Sequence, residues 1–177
     1  RGVADMHLYH NEMPTVAHAD IKVAQFLMTS VGEDPAFKIN DFNRGRFLTS
    51  KDPPNICPFY MENSHKGSTS RSPEEYTTRG AQTDKVDVFS MGSVFYYILT
   101  GQAPFEELKF KTAIQKIKSG VEPPLPGAIE NSTDPSIVAV VEAMRKCRQF
   151  SAQDRANSMQ ISTLLSDALE KIEGKNK

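Results

Sequence analysis

Two aspartates and a lysine, set in short polar segments, are the residues of this chain best suited to chemistry. Asp20 and Lys22 lie within His18-Ala19-Asp20-Ile21-Lys22-Val23-Ala24-Gln25, and Asp41 lies within Asn40-Asp41-Phe42-Asn43. A carboxylate can accept or orient a proton and can hold a hard cation. Taken singly, such residues are most often solvated loop groups, so their order along the chain carries more weight than their presence. Cys57 and Cys147 are the only cysteines and are far apart in the chain. That spacing argues against a disulfide framework or a zinc site and fits a reducing compartment. His7, His10 and His65 are scattered and give no metal-ligand pattern.

These residues need a scaffold, and the composition allows one. The chain has 177 residues, 38% of them apolar and 24% charged, enough for one folded domain with a substantial core. Lysine plus arginine number 21 against 22 aspartate plus glutamate, a net charge of −1. That balance gives no electrostatic footprint for nucleic acid or an acidic membrane surface. The apolar run around Val94 to Leu99 is far short of a membrane span, and no signal-peptide pattern is seen. The expectation is a protein without a membrane segment, in the cytoplasm.

Hydrophobic spacing predicts a helix from Gly2 to Asn11 that stops before Pro14. The apolar runs Gln25 to Thr29 and Ala36 to Asn40, divided by a turn-forming stretch, predict a hairpin. Asp41 to Ser72 is polar and aperiodic and reads as a long loop, of the length often tied to function. Thr83 to Thr100 is apolar on more than one face, which predicts a buried helix capped by Asp84 or Thr83 and ended by Gly101. Further helices are expected over Phe105 to Ser119, Asp134 to Cys147 and Ser158 to Ile172, with a polar tail from Lys171 to Lys177. The architecture is therefore mainly α, a helical bundle around a buried central helix with one small hairpin and one long loop.

In their order, several segments resemble the landmarks of the eukaryotic-type protein kinase family. His18 to Gln25 resembles the catalytic loop H-R-D-L-K-P-x-N, and Asn40-Asp41-Phe42-Asn43 resembles the D-F-G element. Ser72-Pro73-Glu74 looks like the A-P-E end of an activation segment, and Asp87-Val88-Phe89-Ser90-Met91-Gly92 is similar to the D-V-W-S-x-G start of a buried helix. Asp154-Arg155 stands where the family has D-x-R-P. The resemblance covers essentially all of residues 1–177. It implies the large, C-terminal lobe of a kinase, with the small lobe absent.

The roles that follow are those the resemblance implies. Asp20 would orient the substrate hydroxyl and Lys22 would lie beside the transferred phosphate, a pattern of serine/threonine kinases. Asp41 and Gln25 would bind Mg²⁺ and with it ATP, and Leu27 would form the floor under adenine, although a core leucine is an equally good reading. Glu74 should pair with Arg155, Asp87 should accept N–H groups of the catalytic loop, and His18 should stack on Phe42 in a core spine. Thr49, Ser50, Ser64, Ser68, Thr69 and Ser70 are candidate phosphoacceptors or ordinary polar loop residues.

The departures matter as much. Gln25 stands in place of asparagine, one methylene too long for a metal that demands near-ideal geometry. Asn43 replaces the D-F-G glycine, which predicts a strained turn at positive φ. Ala19 replaces the arginine that would meet an activation-loop phosphate, which removes the usual reason for that kind of switching. No glycine-rich loop or V-A-I-K lysine is present, so these residues alone are expected to have little or no kinase activity. The parent is expected to be a serine/threonine kinase acting on a protein substrate. The rivals are a pseudokinase that docks partners and an unrelated helical interaction domain.

Overall fold

The computed structural model describes residues 1–8, 13–29, 36–48, 55–61, 68–77 and 80–174. Thr49, Ser50, Ser64, His10 and His65 lie outside the described residues. The body is helical. Its centre is α2 (Lys85–Thr100), whose Val88, Phe95 and Tyr96 pack against Ala143, Met144 and Cys147 of α5 (Pro135–Cys147) and Ile161 of α6 (Ser158–Gly174). Apolar residues all round α2 bury it on several faces, as the sequence predicts. Each fully buried Val or Phe there contributes roughly 1.5–3 kcal/mol of transfer free energy. Gly92 lets α2 and α5 approach closely: a Cβ there would lie 2.5 Å from Arg148 Cγ and 2.9 Å from Cys147 Cβ. Cys147 is sealed in this core, and burial pushes its thiol up to about 12, whereas Cys57 is exposed.

The helix ends follow local chemistry. Thr83 Oγ1 accepts the Lys85 N–H at 3.2 Å, while Asp84, the other capping candidate, makes no cap bond and is buried near His7. Gly101 closes α2 in the left-handed conformation, φ 73°. Asp134 caps α5 by accepting the Ser136 and Ile137 N–H groups, with Pro135 in the first turn.

Two expectations about helix extent need correction. The first helix, α1 (Gly2–His7), is shorter than Gly2 to Asn11: Leu8 already leaves helical geometry, and 9–12 lie outside the described residues. The helix expected from Phe105 begins only at Phe110 (α3, Phe110–Lys118). Phe105 has φ 60° and buries its ring with Phe89, Ala113 and Ile117, so core packing overrides the helical period. A one-turn helix, α4 (Gly127–Glu130), follows the proline-bearing loop and is too short to leave a period in the sequence.

The strands sit at one end of the body. β2 (Phe26–Thr29) pairs antiparallel with β3 (Ala36–Ile39), Phe26 opposite Ile39, and these two residues pack onto Val3, Ile21 and Val94. A second ribbon was not legible: β1 (Val16–Ala17) pairs with β4 (Arg46–Phe47) inside the stretch expected to be loop. Two-residue strands show no alternation. This ribbon places the segment leading into Asp20 beside the segment leaving Asp41. Among the described residues, no helix is long and apolar enough to cross a membrane.

Candidate active site

The site is built outward from Asp87, in the first turn of α2. Its buried carboxylate accepts the His18 N–H at 2.6 Å and the Ala19 N–H at 2.8 Å, and bonds His7 Nε2 at 3.0 Å. Asp87 thus pins the loop to the central helix, as expected. Ala19 is held at φ 59°, a conformation that costs roughly 1–2 kcal/mol for a residue with a Cβ and persists only where neighbours enforce it. Its carbonyl accepts Arg44 Nε at 3.2 Å and an Arg71 N–H at 3.1 Å.

The next residue, Asp20, collects three donors. Oδ2 accepts Lys22 Nζ at 2.8 Å and the Gln25 amide at 3.2 Å, and Oδ1 accepts Arg71 at 2.8 Å. Partial burial pushes its pKa up, but the Lys22 hydrogen bond and the Arg71 and Lys22 charges outweigh this and hold it below the usual aspartate value. The same Gln25 nitrogen donates to Asp41 Oδ2 at 3.1 Å. Gln25 is buried, and because a carboxylate only accepts, the amide edge facing both acids is its NH₂. One side chain therefore bridges the two aspartates, which approach from separate segments.

Asp41 adopts φ 66°, and Asn43 is not among the residues at positive φ. The strained turn expected at Asn43 is therefore corrected: the left-handed residue is the aspartate, and Asn43 sits in a tight helical turn, Phe42–Arg44. His18 and Phe42 stack with ring centroids 4.7 Å apart at 58°. Phe42 is 51% exposed, however, so only one of its faces is buried rather than the whole ring forming core. Leu27 is 50% exposed and sits on the hairpin face opposite the packed Phe26 and Ile39, which rules out the core-leucine reading.

The turn Pro73–Tyr76 is tied on two sides. Arg155, fully buried, forks onto Glu74 at 2.8 and 3.3 Å and also donates to the carbonyls of Lys85, Gln149 and Phe150. Glu75 accepts the Ser72 N–H and hydroxyl at 2.8 and 2.9 Å and pairs with Arg71 at 3.0 Å. Burial raises the Glu75 pKa, against the pull of Arg71 and Ser72. Sequence reasoning foresaw the Glu74 contact but missed Arg71, Arg44 and Glu75. Arg71 and Glu75 are four residues apart, an ion-pair spacing that was the one available signal.

The family model for the protein kinase domain matches residues 1–171. The chain belongs to the protein kinase family. A receptor-like protein kinase of Arabidopsis thaliana is 25% identical over 175 residues, covering 94% of this chain and 25% of that protein. A mitogen-activated protein kinase kinase kinase of Pyricularia oryzae is 30% identical over 142 residues, 79% of this chain and 9% of that protein. The serine/threonine-protein kinase tousled-like 1 of Caenorhabditis elegans is 26% identical over 165 residues, 88% of this chain and 16% of that protein. The chain thus spans a quarter or less of these kinases. Within the protein kinase pattern, Ala19, Gln25 and Asn43 are departures at the same loop ends that the geometry brings together.

Proposed function

We propose that the chain supplies the catalytic lobe of a protein serine/threonine kinase, which transfers the γ-phosphoryl group of ATP to a hydroxyl of a protein substrate. The observation that carries this reading is the Gln25 amide within hydrogen-bond distance of both Asp20 and Asp41, which supports one reaction centre served by both carboxylates. Phosphoryl transfer needs positioning and charge neutralisation more than covalent help. Asp20, kept ionised by its cations, orients the attacking hydroxyl and accepts its proton. Lys22, beside Asp20, neutralises the moving phosphate. A lysine two residues after the aspartate, together with relatives named as serine/threonine kinases, supports that substrate class.

The donor set suits Mg²⁺, which is commonly held by one or two carboxylates plus substrate phosphates. Asp41 offers such a carboxylate. Gln25 turns its NH₂ toward the acids, so it can lend an oxygen only after its amide rotates. When bound, the ion would neutralise charge on the phosphate oxygens. Leu27 offers an apolar face to adenine. Because Leu27 is half exposed, water reaches that side, and these 177 residues alone would transfer phosphate slowly or not at all.

The second reading is a pseudokinase that docks proteins, and the orientation of the Gln25 amide favours it. The deciding experiment uses the full-length polypeptide, with thermal stabilisation by ATP measured with and without Mg²⁺ and labelled phosphate followed onto a serine-rich protein. The enzyme reading expects Mg²⁺-dependent stabilisation, scaling as RT ln(1 + [L]/Kd), together with transfer. Stabilisation without transfer, or neither, would favour the docking module.

A further inference from the structure

Arg71 lies outside every segment that marks the site in the sequence, yet its guanidinium is the point where the catalytic loop meets the end of the long loop. It donates to Asp20 Oδ1 at 2.8 Å, the Ala19 carbonyl at 3.1 Å and Glu75 Oε1 at 3.0 Å. Its side chain is 18% exposed, so this is not a solvated surface pair of the kind that contributes almost nothing. The fork geometry of a guanidinium allows all three bonds at once, and an ammonium cannot reproduce that pattern.

We propose that Arg71 is a positioning residue for Asp20, fixing the carboxylate to the Ser72–Tyr76 turn so that the end of the segment is organised without a phosphate. This inference rests on the kinase reading above. An ionised carboxylate offers about four acceptor positions. Lys22 and Gln25 occupy those of Oδ2, and Arg71 occupies one of Oδ1. The position left on Oδ1 is therefore the one open to a substrate hydroxyl, and its direction is set by the Arg71 contact. Ala19, which carries no charge of its own, presents its carbonyl to the same guanidinium through its left-handed backbone. The cation thus reaches the loop from the turn instead of from position 19.

The experiment uses the full-length polypeptide with ¹³C-labelled aspartate carboxyl groups, the Asp20 resonance being assigned by its loss in Asp20→Asn. The charged groups around Asp20 are Lys22, Arg71 and Arg44, with Asp41 and Glu75 beyond them, and none of the others changes in Arg71→Met. In Arg71→Met the Asp20 midpoint is expected to move to higher pH. In Arg71→Lys, which keeps the charge and loses the fork, it is expected to stay near the wild-type midpoint. Both variants should lower kcat, Arg71→Met by about 10–100-fold, with the KM for ATP unchanged. If Arg71→Met does not fold, Arg71→Lys decides alone: a kcat equal to wild type overturns the proposal. An unmoved midpoint in folded Arg71→Met also overturns it. A wild-type chain that transfers no phosphate would count against the enzyme reading, and the carboxylate titration would still decide the role of Arg71.

Discussion

The cleft edge around Asp20 and the helical body around α2 are held together by different physics, and the short turn Pro73–Tyr76 is fastened to both. In the body, Val88, Phe95, Ala143, Met144 and Cys147 interlock with almost no polar atom among them. At the edge, Asp20, Lys22, Gln25, Asp41, Arg71 and Glu75 form a charged mesh over a backbone that is left-handed at Ala19 and Asp41. Neighbouring glutamates divide the turn between the two regions, Glu74 going to buried Arg155 and Glu75 to Arg71. The body stabilises the fold, whereas the edge holds chemical groups in conformations that stability alone would not select.

The sharpest way to break this comparison is Asp20→Asn in the full-length polypeptide. Phosphate transfer should fall by about 10²–10⁴-fold, the usual range for loss of a positioned proton acceptor, while the melting temperature barely moves. A large loss of stability with little loss of transfer would invert the two regions. Arg155→Met should do the reverse, with a stability loss of about 3–5 kcal/mol in denaturant unfolding, because Glu74 is left without its buried partner. Gly92→Ala tests the body without touching a charge, and overpacking against Arg148 and Cys147 should cost about 1–3 kcal/mol by the same measurement.

The smallest effect is a pH dependence. The folded-state pKa of Asp20 lies below its unfolded value, so its pairing stabilises the fold above the unfolded pKa and loses that effect as pH falls through the folded one. The modest stability gap between wild type and Asp20→Asn should therefore close below about pH 4, in thermal melts across the acid range. A gap that persists there would mean that the Asp20 pairs contribute little.

The same division explains what could be read in advance. The central helix, the hairpin, α5 and α6 were legible because their hydrophobic periods run for several residues. The Glu74–Arg155 pair and the Asp87 contacts were legible because each lies in a recognisable landmark. Phe105 was misread because a buried ring, not a local preference, fixes its backbone. The β1–β4 ribbon and α4 are too short to carry a period. Arg71 escaped because its partners, Ala19 and Asp20, are distant in sequence and only the folded chain brings them to it.

The two cysteines give the edge a ready handle. Cys147, sealed between α2 and α5 with its thiol pushed up to about 12, is inert toward maleimides at neutral pH, while Cys57 is exposed on the loop that follows β4. Among these 177 residues a thiol-reactive fluorophore would therefore label a single place, beside the catalytic edge, with no engineering of the sequence.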